Sequence, residues 1–267
     1  MSSTDQTTDG WAQDFSYDYY RKLLRVLQET FDVRTLSEYP ECRSNGEPVA
    51  IVRHDVDVCM ERAVELARLE HQVGVRSVYM VNPDTPLYDI DDERERLFEI
   101  RDLGHEIGLH CDLTSMMNDA RNDELDVDRG LSRREETHVR DARHRLESIG
   151  LDSIASLSFH RPVPRVLDGP PTIAGMVNAY SSALMSAYIS DSAGRWREGP
   201  PIQTIPAPAP DVLQVLTHPV WWAETHNPPL EQFLSVTNGL DILDEDVYAE
   251  LVSICPEYGE RIDDIVA

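Results

Sequence analysis

Lysine is nearly missing from this chain of 267 residues, because Lys22 is the only lysine and the other 23 of its 24 basic residues are arginines. Acidic residues number 49, so the formal net charge at pH 7 is −25. Repulsion among so many like charges destabilises a compact state unless salt screens it. The composition therefore indicates a protein adapted to a salty cytoplasm, as in halophilic microbes. Since no basic patch is visible, we expect neither nucleic acid nor an anionic membrane as a partner.

The chain also lacks a Cys-x-x-Cys motif, a long apolar run and a signal peptide. Its four cysteines are scattered, which favours free thiols in a reducing compartment over a disulfide framework. No run approaches ~18 apolar residues, so no membrane span is expected. The polar start MSSTDQTTDG has neither the basic end nor the apolar stretch of a signal peptide. We therefore expect a soluble, cytoplasmic protein.

Helix-like and strand-like segments alternate along most of the chain. Residues 1–15 are predicted to be a flexible tail, and residues 16–267 one domain that begins with an additional helix over about 17–31. Residues 163–210 are rich in proline, glycine and serine and show no clear periodicity. The alternation predicts an α/β fold with a parallel sheet or barrel. The predicted strands are 48–57, 75–81, 105–110, 154–160 and 212–218, and the helices between them are 59–74, 91–104 and 131–149.

Four of the predicted strands end in titratable residues, in the motifs VRHDVD, GLHCD, SFHRP and LTHP. In α/β barrels and open parallel sheets, the carboxyl ends of the strands share one face, where catalytic groups collect. A lone histidine is more often structural, but several such groups converging on one face predict a metal-assisted hydrolytic site. The residues that these strand ends deliver are Asp55, Asp57, His110, His160 and His218.

The order and spacing of RHDVD, GHEIGLH, SFHRP and LTHP resemble the NodB-homology polysaccharide deacetylases (carbohydrate esterase family 4). The resemblance covers residues 48–225 and is more specific to a divergent branch associated with surface-glycan biosynthesis, in which SDS.G.W and THP.WW recur. It implies a distorted (β/α) barrel that holds a divalent metal ion, usually zinc, through one aspartate and two histidines. It also implies a hydrolase that removes the acetyl group from an N-acetylated sugar.

The resemblance assigns roles to particular positions of this chain. Asp55 corresponds to the catalytic base, and Arg161 to the arginine that steadies this base. His110 corresponds to the first metal-binding histidine. His218 corresponds to the general acid, which Asp191 of the SDS motif could orient and charge.

Two positions depart from the family pattern. Val56 separates the two aspartates of the first motif, which are adjacent in the family. Because residues two apart on a strand share a face, Asp57 could still bind the metal ion while Asp55 faces the substrate. Thr114 is four residues beyond His110, where the family has its second metal-binding histidine.

Two residues could replace the missing ligand. His160 arrives from the next strand end and is favoured, whereas Asp112 lies two residues from His110 and on the same face. His105 is a poor candidate because five residues along a strand span roughly 16 Å and turn the side chain to the opposite face. Zinc ligands must come within about 2.0–2.2 Å of one ion.

The sequence therefore predicts a metal-dependent amide hydrolase that acts on an N-acetylated sugar or on its nucleotide- or lipid-linked precursor. Trp196, Trp221 and Trp222 could supply flat faces for sugar rings or could pack in the core. One alternative is an amidase for a non-sugar amide, because fold and metal site do not fix the substrate. Another is a catalytically inactive relative that binds a glycan or a biosynthetic partner, which the threonine in place of the second histidine would support.

Overall fold

The structure is a computed structural model that describes residues 13–42, 46–117 and 131–266. The helices of these residues are α1 (Tyr17–Thr30), α2 (Tyr39–Cys42), α3 (Met60–Val73), α4 (Arg94–Asp102), α5 (Thr114–Met117), α6 (Arg133–Ser148), α7 (Pro201–Thr204), α8 (Pro229–Thr237), α9 (Glu245–Ile254) and α10 (Pro256–Val266). The strands are β1 (Asp32–Arg34), β2 (Val49–Val56), β3 (Val78–Val81), β4 (Glu106–Asp112), β5 (Ser156–His160), β6 (Thr172–Ile173), β7 (Met176–Asn178), β8 (Tyr188–Ser190) and β9 (Val212–Thr217).

The strands of the described chain form one sheet in the order β6-β7-β5-β4-β3-β2-β9-β8, and β1 pairs with the first residues of β2. Every neighbouring pair is parallel except β6 with β7. The sheet is curled into a half-barrel and flanked by helices. The predicted α/β fold with parallel strands is thereby confirmed. Among the described residues, no helix is both long and apolar enough to cross a membrane.

Strand β2 is apolar in its first half and polar toward its end, and its side chains alternate between two buried faces. All eight residues of this strand are buried. Val49 and Ile51 pack in one apolar cluster. Ala50 and Val52 pack in another, together with leucines of α1 and α3. Because alternate residues share a face, Arg53 and Asp55 continue the face of Val49 and Ile51. His54 points to the opposite face.

Close packing of neighbouring strands requires glycine at position 108 of the GHEIGLH motif. A Cβ atom at Gly108 would collide with Met80 Sδ on β3 and with Ser156 Oγ on β5. A larger residue would require the side chains of Met80 and Ser156 to move. The glycine of this motif therefore has a packing role next to the site.

The N-terminal helix was predicted correctly, but the described residues of the predicted tail, 13–15, pack against the fold. Ser16 caps α1 by accepting a hydrogen bond from the backbone of Tyr19. Phe15 is completely buried, and the Gln13 side chain exchanges two hydrogen bonds with the backbone of Trp196. Residues 13–15 thus belong to the folded core, which corrects the predicted tail of 1–15. Residues 1–12 of that prediction lie outside the described residues.

A fully buried carboxylate, that of Glu70 on α3, joins several elements of the core. Its Oε1 accepts a hydrogen bond of 2.5 Å from Tyr20 and lies 2.8 Å from His54 Nε2. Its Oε2 accepts hydrogen bonds of 2.6 Å from both Ser77 and Tyr79. Burial raises the pKa of Glu70, but the charge and hydrogen bond of His54 and the other donors outweigh burial and lower it to about 2.

Replacing Glu70 with glutamine tests this network through its pH dependence. Because the folded-state pKa is depressed, the ionised carboxylate stabilises the fold above the unfolded-state value of 4.5, and this stabilisation is lost as the pH falls toward 2. A shift of this size corresponds to roughly 3 kcal/mol. We expect wild type to be more stable than Glu70→Gln at neutral pH, and the difference to shrink by roughly 3 kcal/mol between about pH 5 and pH 2.

Denaturant unfolding of both proteins in high salt measures this difference. The comparison cancels contributions that are common to wild type and variant, such as those of acidic residues distant from Glu70. A stability difference that stays constant over this pH range would contradict the assigned role of the ionised carboxylate.

Candidate metal centre

The carboxyl ends of the parallel strands bring the predicted residues to one cavity of about 400 Å³. Asp55 lies near the end of β2 and Asp57 directly follows it. His110 lies on β4, His160 is the last residue of β5, and His218 directly follows β9. All five side chains line the cavity. Parallel strands place their carboxyl ends at one edge of the sheet, which explains why residues so distant in the sequence meet here.

Asp57, His110 and His160 form a buried group whose ligand atoms face one another. His110 Nε2 lies 3.2 Å from Asp57 Oδ1 and 3.2 Å from His160 Nδ1. Asp57 Oδ1 lies 3.4 Å from His160 Nδ1. Two ligands of one tetrahedral zinc ion are about 3.3–3.5 Å apart. The three atoms therefore have the spacing of one face of a tetrahedron, and the group could hold a metal ion.

The chemistry of these donors also fits a cation. Asp57 Oδ1 is buried, and the ring nitrogens of His110 and His160, 3.2 and 3.4 Å away, do not reach it with full hydrogen-bond geometry. A buried carboxylate oxygen in this situation is costly unless a cation pairs with it. Burial lowers the pKa of His160, but the carboxylates of Asp57 and Glu250 outweigh burial and raise it to about 10. The surrounding carboxylates therefore favour a positive charge at this position, which a proton or a metal ion can supply.

Of the two candidate replacement ligands, His160 lies with Asp57 and His110, and Asp112 does not. Asp112 belongs to a second group with His160 and Glu250. The Nη2 atom of Arg161 makes a short hydrogen bond to Asp112 Oδ2 and lies 3.2 Å from Glu250 Oε2. The guanidinium thus already supplies the positive charge between these two carboxylates.

Thr114 contacts Asp112 and Arg161, and these contacts differ from those expected of a metal ligand. Its backbone N and its Oγ1 each donate a hydrogen bond of 2.8 Å to Asp112 Oδ1. Arg161 Nη2 lies 3.3 Å from Thr114 Oγ1. Thr114 therefore orients Asp112 toward Arg161. The histidine that lies beside Asp57 and His110 is His160 of β5.

The arginine that holds Asp55 is Arg53, not Arg161, which corrects the role expected from the resemblance. Arg53 donates hydrogen bonds of 2.8 and 2.6 Å to the two carboxylate oxygens of Asp55. Burial raises the pKa of Asp55, but Arg53 and then His110 outweigh burial and lower it. Arg53 stands two residues before Asp55, and residues two apart on a strand share a face. This spacing is the signal in the sequence that could have identified it.

Asp191 contacts His218, the residue that it was predicted to orient. Asp191 Oδ1 lies 2.6 Å from His218 Nδ1, and the backbone N of His218 donates to both carboxylate oxygens at 3.0 and 3.1 Å. Burial lowers the pKa of His218, but Asp191 outweighs burial and raises it to about 9. The second ring nitrogen, Nε2, lies 3.8 Å from Asp57 Oδ2. His218 Nε2 thus faces the carboxylate of Asp57.

The three predicted sugar-binding tryptophans have different positions. Trp196 and Trp222 are 1% and 0% exposed and pack against the ring of Phe15, with ring centroids 6.1 and 5.3 Å away. The Trp222 indole also donates a hydrogen bond of 3.0 Å to Asp191. These two are core residues, which corrects their predicted role. Trp221 lines the cavity, although it too is 2% exposed.

Two further contacts to the metal group were not predicted. Ser158 Oγ lies 2.6 Å from His110 Nδ1. This contact follows from strand register, because Ser158 on β5 is directly opposite His110 on β4. Glu250 Oε1 lies 2.8 Å from His160 Nε2. Glu250 is on α9, and no spacing in the sequence connects it with β5.

Comparisons with known proteins identify no relative of this chain. No protein-family model, no curated protein and no solved structure matches it. Its functional interpretation therefore depends on the motifs and on the geometry of the cavity.

Removing either histidine of the metal group should abolish metal binding. We expect about one equivalent of zinc or another divalent ion in the wild-type protein in high salt, and its loss from His110→Ala and from His160→Ala, because each leaves only two of the three donors. Metal analysis after dialysis measures this directly.

Two further variants complete this test. His144→Ala, which removes an exposed histidine on α6, should retain the metal ion. Asp112→Asn should also retain it, because Arg161 and not the metal group is the partner of Asp112. Loss of metal from Asp112→Asn with retention in His160→Ala would show that the ligands are assigned wrongly.

Proposed function

We propose that this protein is a metal-dependent amide hydrolase of the NodB-homology type, which deacetylates an N-acetylated sugar or glycan precursor. The supporting observation is that one cavity is lined by three kinds of group. They are the possible metal ligands Asp57, His110 and His160, the carboxylate of Asp55, which Arg53 holds, and the imidazole of His218, which Asp191 holds. The ordered motifs that resemble the deacetylases supply these same residues. A hydrolytic metal site needs ligands, a proton acceptor and a proton donor within reach of one substrate.

Asp55 is the proton acceptor of the proposed reaction. A divalent ion held by Asp57, His110 and His160 would polarise the amide carbonyl and lower the pKa of a water molecule. Asp55 Oδ2 lies 3.8 Å from His110 Nε2, next to the ligand atoms. Because Arg53 holds the carboxylate ionised and in one orientation, Asp55 can accept the proton of the attacking water.

His218 is the proton donor. The leaving nitrogen must be protonated as the carbon–nitrogen bond breaks, which requires an acid positioned in the cavity. Asp191 binds Nδ1 of His218 and leaves Nε2 to carry a proton toward the cavity. The pair acts as one unit, since the buried carboxylate orients the ring and stabilises its charged form.

A second candidate function is hydrolysis of a non-sugar amide on the same metal site. Apolar side chains form much of the cavity lining, and they would suit an apolar acyl or amine group better than a hydroxyl-rich ring. Four of these side chains are Leu167, Met185, Leu216 and Ile254. A binding protein without activity is less well supported. Thr114 replaces the second metal-binding histidine of the deacetylases, but His160 offers a third ligand atom beside Asp57 and His110.

A panel of amides distinguishes these functions. The zinc-loaded protein in high salt is incubated with an N-acetylhexosamine, its nucleotide-linked form, a chitin oligomer and simple acyl amides, and the released acid is quantified. Release of acetate from the small or activated sugars supports the proposal, whereas faster turnover of the oligomer would argue against a precursor as substrate. Hydrolysis of non-sugar amides alone would favour the second function. Metal binding without any turnover would favour a binding protein.

Substituting the proton acceptor should separate catalysis from metal binding. In Asp55→Asn we expect turnover to fall by about 10²–10⁴-fold, the usual contribution of a positioned base, while zinc content stays near that of wild type. Activity assays and metal analysis on the same preparation measure both.

The matched control is Asp141→Asn, which removes a carboxylate from the exposed surface of α6. It should leave activity and zinc content unchanged. Wild-type turnover in Asp55→Asn would refute the assignment of Asp55 as the base.

A further inference from the structure

Helix α9 lies beyond the motif-bearing residues 48–225 and nevertheless contacts the metal group. Glu250 on this helix is 11% exposed, and its Oε1 lies 2.8 Å from Nε2 of His160. Ser253 and Ile254, one turn further along, line the cavity. A helix that the motifs do not include thus contributes both to the cavity wall and to the surroundings of one ligand.

The contact concerns the nitrogen of His160 that does not face the other ligands. Its Nδ1 faces Asp57 and His110, at 3.4 and 3.2 Å. An imidazole that binds a metal ion through one nitrogen carries its proton on the other, and a carboxylate at that proton fixes both the tautomer and the ring orientation. His160 Nε2 is buried, and Glu250 Oε1 lies 2.8 Å from it, at ion-pair distance but without hydrogen-bond geometry. Glu250 is therefore the carboxylate in the position to do this.

The same carboxylate also ties α9 to the end of β5. Its Oε2 lies 3.2 Å from Arg161 Nη2, and Arg161 Nη1 donates a hydrogen bond of 3.0 Å to Ser253 Oγ. Arg161 has a φ of 49°, a backbone conformation that is uncommon for residues other than glycine and needs support from surrounding contacts. The arginine therefore anchors the helix while leaving Oε1 of Glu250 directed at His160.

We propose that Glu250 is a positioning residue of the metal centre, which makes α9 an integral part of the site. This inference rests on the metal site of the proposed function. Glu250 holds the imidazole of His160 with Nδ1 toward Asp57, and Arg161 holds Glu250. Ser158 has the corresponding contact on the other histidine, at Nδ1 of His110, so each histidine of the group has its second nitrogen held by a protein side chain.

Zinc affinity is the quantity that tests this role. In Glu250→Ala we expect zinc affinity to fall by about 10–100-fold, as is usual when the partner of a metal-binding histidine is removed. Glu250→Gln keeps an oxygen that can accept from His160 Nε2 but loses the charge, so its loss should be smaller. Glu245→Gln removes a charge from the exposed start of the same helix and should leave the affinity unchanged.

Competition with a chromophoric chelator measures the zinc affinities, and the absorption spectrum of the Co²⁺-substituted proteins reports the ligand geometry. Thermal unfolding in the presence of a chelator controls for a structural effect. Reduced affinity and an altered Co²⁺ spectrum with unchanged unfolding would support the proposal. If the alanine variant does not fold, a several-fold loss of affinity in the glutamine variant carries the same meaning. Wild-type affinity in both variants would overturn the role of Glu250 alone, and wild-type protein that binds no metal would overturn the metal site as well.

Discussion

Strand β2 places three ionisable side chains, those of Arg53, His54 and Asp55, in the interior of the protein, where each needs a polar or charged partner. Moving an ion out of water costs on the order of several kcal/mol unless an opposite charge and hydrogen bonds compensate it. Arg53 and Asp55 satisfy each other on one face of the strand. On the other face, His54 lies against Glu70, 2.8 Å away. The site and the core on either side of the sheet both depend on these two buried pairs.

The two faces are also connected through the neighbouring strand. His54 Nδ1 lies 2.6 Å from Thr217 Oγ1, and Thr217 directly precedes His218 on the chain. Behind the cavity wall, the fully buried Asp191 binds both the backbone and the ring of His218. The proposed proton donor is therefore held by Asp191 on the side of Nδ1 and, through its preceding residue, by the network of Glu70. This arrangement limits the freedom of the imidazole without requiring a contact from solvent.

The long elements and the strand ends were accessible from the sequence because their physical signals are local. Helical periodicity predicted α1, and a short apolar run predicted β2. The rule that parallel strands share one edge predicted that His110 and His160 would meet. Strands β6, β7 and β8 have only two or three residues, too few for periodicity to show. Arg161 was assigned by analogy to a role that Arg53 fills. Trp196 and Trp222 could not be distinguished from surface platforms, because burial depends on packing partners such as Phe15, which are distant in the sequence.

Because Glu250 lies beyond the motifs, residues 48–225 alone do not contain the whole candidate site. A fragment that stops at residue 225 would contain every motif by which the site is recognised and every ligand of the metal group. It would nevertheless lose the carboxylate against His160, the helix that carries it, and core residues such as Phe233 and Leu251. Boundaries drawn around motifs alone would thus divide the candidate site, and building the same group of side chains on another scaffold would require α9 together with the strand ends.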